Sequence, residues 1–288
     1  MVATKRKTTK RKPSKSVKLV TRPKTTKNKV VKAVRSTPKQ LDESLKSAKY
    51  FIKYSLSDKD RQLMNQIVSR ARAGRTSKKL HSKGGYYTAE RKRVHNKIFK
   101  KFLSQDKSTN KPDVYVLGGV AGSGKSSTLA KFIKEKAMTI NNDDIKQALS
   151  KYDPSPIKKY PLIHAAYLHE EAKDVEKQLL KQALKGRKDI ILDRTLASYV
   201  KNNNLLKEIK NLGYDVTVLG TNLPPHIALI RTAARFVKKG RYVPLENLKT
   251  KGNQTNASVL KIAKQKYVKK ARVYNTTRKK PKLMYKSG

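Results

Sequence analysis

The stretch DVYVLGGVAGSGKSS, Asp113 to Ser127, decides the fold. Its first five residues read as a short apolar strand, and residues 119–126 satisfy the phosphate-loop spacing G-x-x-x-x-G-K-[ST]. A helix is expected to follow from Lys125 to about Lys136 (KSSTLAKFIKEK). The chemistry needs this arrangement. Gly119, Gly122 and Gly124, with Ser123 between them, let backbone N–H groups turn inward around the α and β phosphates of a nucleotide. The next helix aims its unpaired N–H groups and positive dipole end at the same anion. Lys125 then reaches the β and γ phosphates as a point charge, while the Ser126 hydroxyl, with Ser127 beside it, joins the shell of a Mg²⁺ ion. ATP and Mg²⁺ are therefore the expected cofactors.

Working outward from the loop, strand alternates with helix. AMTI (137–140), DIILD (189–193) and YDVTVLG (214–220) read as further strands, and ARVY (271–274) with KLMY (282–285) as a final pair. Helical periodicity covers 157–184, 205–212, 225–238 and about 245–266, and Gly213 ends one of these helices. That alternation predicts an α/β fold, a doubly wound parallel sheet of the P-loop kinase type covered on both faces. Upstream, 41–73 reads as helix, 74–85 (GRTSKKLHSKGG) as a linker, and Thr88 to about Leu103 as another helix. Asp193 ends the DIILD strand, where a carboxylate can hold Mg²⁺ beside the loop; its alternative is a cap on the next turn.

Lys and Arg number 70 against 20 Asp and Glu, a formal charge of +50. Residues 1–40 hold 15 Lys or Arg and no acid, among Thr, Ser and Pro, and read as a disordered basic arm. Setting aside that +15 leaves +35, so the rest of the chain is basic too. Such a chain attracts polyanions, and contact with nucleic acid through both arm and core is expected. The absence of Cys excludes disulfides, thiolate catalysis and Cys-based metal sites. No apolar run nears membrane-spanning length and no secretory segment opens the chain. No membrane partner is expected, and the protein reads as intracellular, either cytoplasmic or associated with nucleic acid.

Further short motifs accompany the loop. They are YYTAERKRVHNKIFKKFL (86–103), TINNDDIKQAL (139–149), DVEKQLLKQALKGRKDIILDRTLAS (174–198), RTAARFVKKGRYVP (231–244) and the stretch from ARVYN to KLMY (271–285). In this spacing they resemble the zeta-toxin family of P-loop kinases, over about two-thirds of the chain. The resemblance implies a kinase domain at 86–286, preceded by a helical segment and linker at 41–85 and the arm at 1–40. It implies transfer of the γ-phosphoryl group of ATP to a hydroxyl of a small molecule, a UDP-N-acetylhexosamine in the best-known members. It also implies an inhibitory protein partner of the antitoxin kind.

Residue roles follow from the same resemblance. Asp143 matches the acid that faces the acceptor hydroxyl as base or orienter; a cap on the helix from Asp144 is its alternative. Glu176 matches a helical acid that helps hold the acceptor, although its spacing alone makes it an exposed helix charge. Arg235 and Arg241 match two residues that clamp the transferring phosphoryl group and neutralise charge spread over its equatorial oxygens. The chain departs from the family pattern in three places. Asn141 stands where a second acid is usual, Asp193-Arg194 replaces acid-Gly, and no His-Pro pair follows 143–146. The alternatives to a small-molecule acceptor are a nucleic-acid 5′- or 3′-hydroxyl and, without catalysis, a nucleic-acid-packaging protein with an idle phosphate loop.

Overall fold

The computed structural model describes residues 31–105, 108–133, 137–153, 165–239, 241 and 243–288; the expected arm lies outside them as far as Val30. The chain opens with α1 (Pro38–Ser55), α2 (Asp58–Arg72), α3 (Ser77–Leu80), the hairpin β1 (Ser82–Lys83) and β2 (Tyr86–Tyr87), and α4 (Ala89–Leu103). Then come β3 (Asp113–Gly118), α5 (Lys125–Leu129), β4 (Met138–Asn141), α6 (Asn142–Ser150), α7 (His169–Lys185) and β5 (Ile190–Asp193). They are followed by α8 (Tyr199–Asn211), β6 (Asp215–Asn222), α9 (Pro225–Lys239), α10 (Leu245–Ala263), β7 (Lys270–Asn275) and β8 (Lys282–Ser287).

Six strands form one sheet in the order β4–β5–β3–β6–β7–β8. Every neighbouring pair is parallel except β7 and β8. This is the expected α/β architecture. Val114, Val116, Ile190, Leu192, Val216 and Val218 are fully buried, because helices cover both faces of a parallel sheet and leave its strands no wet side. The register sets Asp193 beside both Leu117 and Asn141, so β3, β4 and β5 deliver their following residues to one edge. A second apolar cluster ties Leu41, Leu45 and Ala48 of α1 to Leu229 and Ala233 of α9 and Leu248 of α10.

Several elements differ from their periodicity, each for a local reason. The helix after the loop is only Lys125–Leu129 with a 3₁₀ turn at Ala130–Phe132, and Ile133 is extended. Ser126, Ser127 and Thr128 are weak helix formers, and the Ser127 hydroxyl bonds back to Gly124 O at 3.1 Å. The helix expected from Ile157 begins at His169; residues 165–168 form a turn, and 157–164 lie outside the described residues. The 41–73 helix breaks at Ser57, whose side chain caps α2 by accepting from Asp60 N. The expected linker holds α3, capped by Thr76, and the β1–β2 hairpin, whose Gly84 and Gly85 take φ angles of 57° and 83°.

Residues 31–40 were grouped with the arm by composition, yet they belong to the folded unit. Residues 31–37 run extended beside α10, and Pro38–Gln40 already form the first turn of α1. Asn253 holds both backbone groups of Ser36, each at 2.9 Å. Asn256 donates to Val34 O at 3.0 Å, and Asn222 accepts from Val34 N at 3.0 Å. Composition misses this because the partners are asparagines far along the chain, on α10 and β6.

Candidate active site

Past β3 the backbone takes a path that side chains would block. Gly119 has φ 144°, and a Cβ there would lie 2.2 Å from Thr221 Oγ1; at Gly122, φ 77°, it would lie 2.8 Å from Thr232 Oγ1. Ser123 is buried, its hydroxyl 2.7 Å from that of Thr221, so its side chain braces the loop from behind instead of facing a ligand. Ser127 is committed to Gly124 O, and Ser126 is exposed. The Lys125 amine sits 3.1 Å from Gly119 O and 3.9 Å from Asp193 Oδ1.

Asn141 organises the ends of β4 and β5. Its Nδ2 donates to Asp193 Oδ2 at 2.8 Å, and its Oδ1 accepts from Asp143 N at 2.8 Å, which makes it the N-cap of α6. The cap role weighed for Asp143 thus falls to Asn141. The Asp143 carboxylate is left to meet cations: Lys146 Nζ at 3.2 Å and Arg241 in an ion pair. Burial opposes charge on Asp143, but Lys146 and Arg241 outweigh it and hold the carboxyl below its usual range. Asp193 moves the other way. Burial raises it, Lys125 and Arg241 offset part of that, and the nearby Asp143 and Glu176 carboxylates add to it.

Glu176 is buried on the covered face of α7, where its spacing had suggested an exposed charge. Its Oε1 meets Arg194 Nη2 at 2.6 Å and its Oε2 accepts from Asn142 Nδ2 at 3.1 Å. Sequence reasoning marked Arg194 only as a departure and did not single out Lys146 or Asn142. The signals were there: Lys146 lies one helical turn beyond Asp143, and Asn142 precedes it.

Arg235 on α9 and Arg241 beyond its end converge on the same place. Burial and the neighbouring Arg241 guanidinium pull Arg235 below its ordinary pKa, against Asp143. Burial likewise lowers Lys125, with Arg241 and Arg235 adding to the effect and Asp193 and Asp143 opposing it. The Nε atoms of Arg194, Arg235 and Arg241 are buried without a hydrogen-bond partner. Each such donor costs about 1–3 kcal/mol while unpaired. Arg235 and Arg241 stand by Asp143 and Arg194 by Glu176, guanidinium groups of the kind that bind oxyanions. The phosphate chain of ATP suits those nearest the loop, where Arg235 and Arg241 stand with Lys125. Ser126 and Asp193 present the hard oxygen donors that suit Mg²⁺, an ion that takes few protein ligands beside phosphate and water. Among the described residues there is no cluster of three or more His, Cys, Asp or Glu placed to hold a metal by itself.

The family model described as zeta toxin matches residues 98–287. No curated protein sequence matches the chain. Among solved structures, one from the PezAT chromosomal toxin–antitoxin system of Streptococcus pneumoniae aligns with a TM-score of 0.50 and 16% identity, over 70% of this chain and 81% of that one. The AvrRxo1-ORF1:-ORF2 structure with ATP aligns with a TM-score of 0.57 and 15% identity, over 70% and 68%. The same pair with sulphate ions gives 0.55 and 17%, over 70% and 69%. At these identities the structural likeness establishes the fold.

Proposed function

The chain belongs to the zeta toxin family of ATP-dependent kinases, and on that premise we propose that it phosphorylates a hydroxyl of an anionic small molecule, a UDP-sugar being the first candidate. The observation that carries this reading is the set of three buried, unpaired guanidinium Nε atoms around Asp143 and Glu176. They offer more positive charge and more donors than the protein's own carboxylates satisfy.

The acceptor oxygen bonds to the γ-phosphorus of ATP as the bond to the β–γ bridging oxygen breaks. Asp143 orients the acceptor hydroxyl and takes its proton. A carboxylate held this acidic is a weak base, so orientation is its larger contribution, and the proton leaves late in a loose transition state. Lys125, Arg235 and Arg241 neutralise charge on the transferring group. Ser126 and Asp193 would hold Mg²⁺, whose charge would add to the neutralisation of the phosphate oxygens. Glu176 and Asn142 are assigned to the acceptor's hydroxyl groups, and Arg194 to its anionic part. An inhibitory partner protein belongs to the same proposal, supported by the toxin–antitoxin system from which one structural relative comes.

The test is label transfer from γ-labelled ATP, with Mg²⁺, to UDP-sugars, nucleotides and 5′-hydroxyl oligonucleotides, run beside Lys125→Ala. Label on a UDP-sugar that disappears in the variant supports the proposal. Label on oligonucleotides alone would replace the acceptor. No transfer to any of them would leave the loop idle and overturn the proposal.

A further inference from the structure

A second concentration of charge lies at the end of the sheet opposite the phosphate loop. Asn256 of α10 is beside Asn222, at the loop end of β6, whereas the turn after α10 meets the start of β6 through Lys269 N and Val216 O. The segment from Val31 to Ser36 lies antiparallel to α10, with Ser36 at Asn253, Val34 at Asn256 and Val31 near the helix end, its carbonyl accepting from Lys264 at 3.4 Å.

A shallow depression of about 590 Å³ lies here, lined by Lys207, Lys210, Lys264 and Lys266. A second of the same volume shares Lys264 and, lined by Lys32, Arg35 and Lys261, runs from it along α10 toward the level of Asn222. The acids close by are Glu208, exposed on α8, and Asp215, already paired with Lys210 at 3.3 Å and Lys269 at 2.5 Å. Cations therefore remain in excess. Lys261 is held 4.0 Å over the ring of Tyr199, and Lys264 lies 5.7 Å from that of Tyr285. The ring faces steady these ammonium groups. Cations held in this way suit a chain of phosphates, which positions a partner without reading its sequence.

We infer that this rear face docks nucleic acid through its phosphate backbone. It is an anchoring surface and not the acceptor site, because it lies at the opposite end of the sheet from Lys125 and Asp143. The inference does not depend on the kinase chemistry.

The experiment is fluorescence anisotropy of the full chain with a labelled DNA duplex of roughly 20 base pairs, between about 50 and 200 mM salt. Lys207→Glu/Lys261→Glu/Lys264→Glu is compared with Lys92→Glu/Arg93→Glu/Lys100→Glu, an equal charge change at exposed positions of α4. The rear-face variant is expected to weaken binding at least about tenfold and to lower the salt slope by about one per lysine, while the α4 variant stays within about twofold. Melting curves accompany both, and a Lys→Gln set replaces any glutamate variant that fails to fold. Equal weakening by both sets would overturn the inference, because total charge would then explain the binding. Binding to phosphatidylserine vesicles with none to the duplex would overturn it as well.

Discussion

Arg194, at the end of β5, and Glu176, on α7, form an ion pair with Nη2 2.6 Å from Oε1, and the Nε of the same guanidinium is buried and unpaired. The pair sets a cation where the family pattern has glycine. Arg194→Ala is expected to raise KM for an anionic acceptor about 10- to 100-fold, the loss of a charge-assisted hydrogen bond, and to leave KM for ATP unchanged. Arg194→Lys should recover only part, since an ammonium lacks the planar fork. An equal rise in both KM values would remove Arg194 from the acceptor side.

Asp143→Asn should lower kcat by about 10²- to 10⁴-fold with little change in KM for ATP. Because the folded-state pKa of Asp143 lies below its ordinary 3.8, this group should remain ionised, and its contribution intact, at any pH above about 4. Lys146→Met removes one of the two cations responsible, so any acid limb of kcat/KM due to Asp143 should move upward. A limb that stays in place would show that Asp143 does not govern it.

Gly119→Ala should cost the loop its shape. The φ of 144° and the 2.2 Å approach to Thr221 Oγ1 leave no room for a methyl group, and strain of about 1–3 kcal/mol is expected. ATP affinity by calorimetry should fall roughly tenfold or more. Adding Thr221→Ala should restore little, because the Thr221 carbonyl oxygen also stands 2.8 Å from the new atom.

Away from the site, Glu171 is buried among the Arg91 guanidinium, with Nε at 2.6 Å, His95 at 2.6 Å and the Ser77 hydroxyl. Burial opposes its charge, but His95, Arg91 and Ser77 hold the carboxyl down to about 2. A depressed carboxyl contributes stability above its unfolded pKa and loses it as pH falls toward the folded value. Glu171→Gln should therefore cost roughly 3 kcal/mol at neutral pH, and the gap to wild type should close between about pH 4.5 and pH 2. Urea melts across that range would show it, and a constant gap would refute it.

Asn253→Ala should release the segment at Ser36, since one side chain holds both of its backbone groups. Hydrogen exchange at residues 34–36 should quicken, while exchange in β3 and β6 stays as in the wild type. Unchanged exchange would mean that Asn222 and Asn256 suffice.

The phosphate loop and the parallel sheet were legible because each rests on local spacing: a strand, then glycines, a lysine and a hydroxyl within fifteen residues. Asp143, Glu176, Arg235 and Arg241 were named through family resemblance, and the structure brings them to one edge of the sheet. Local spacing misjudged Glu176, because whether a helical acid faces water depends on what packs over α7. It also left Asp143 divided between cap and catalyst; the structure gives the cap to Asn141. The Arg194–Glu176 ion pair, the folding of residues 31–40 onto α10 and the gathering of lysines around Lys264 came only from the tertiary structure. Each depends on groups far apart in the chain, whose meeting is set by sheet order and helix packing and leaves no periodic trace in the sequence.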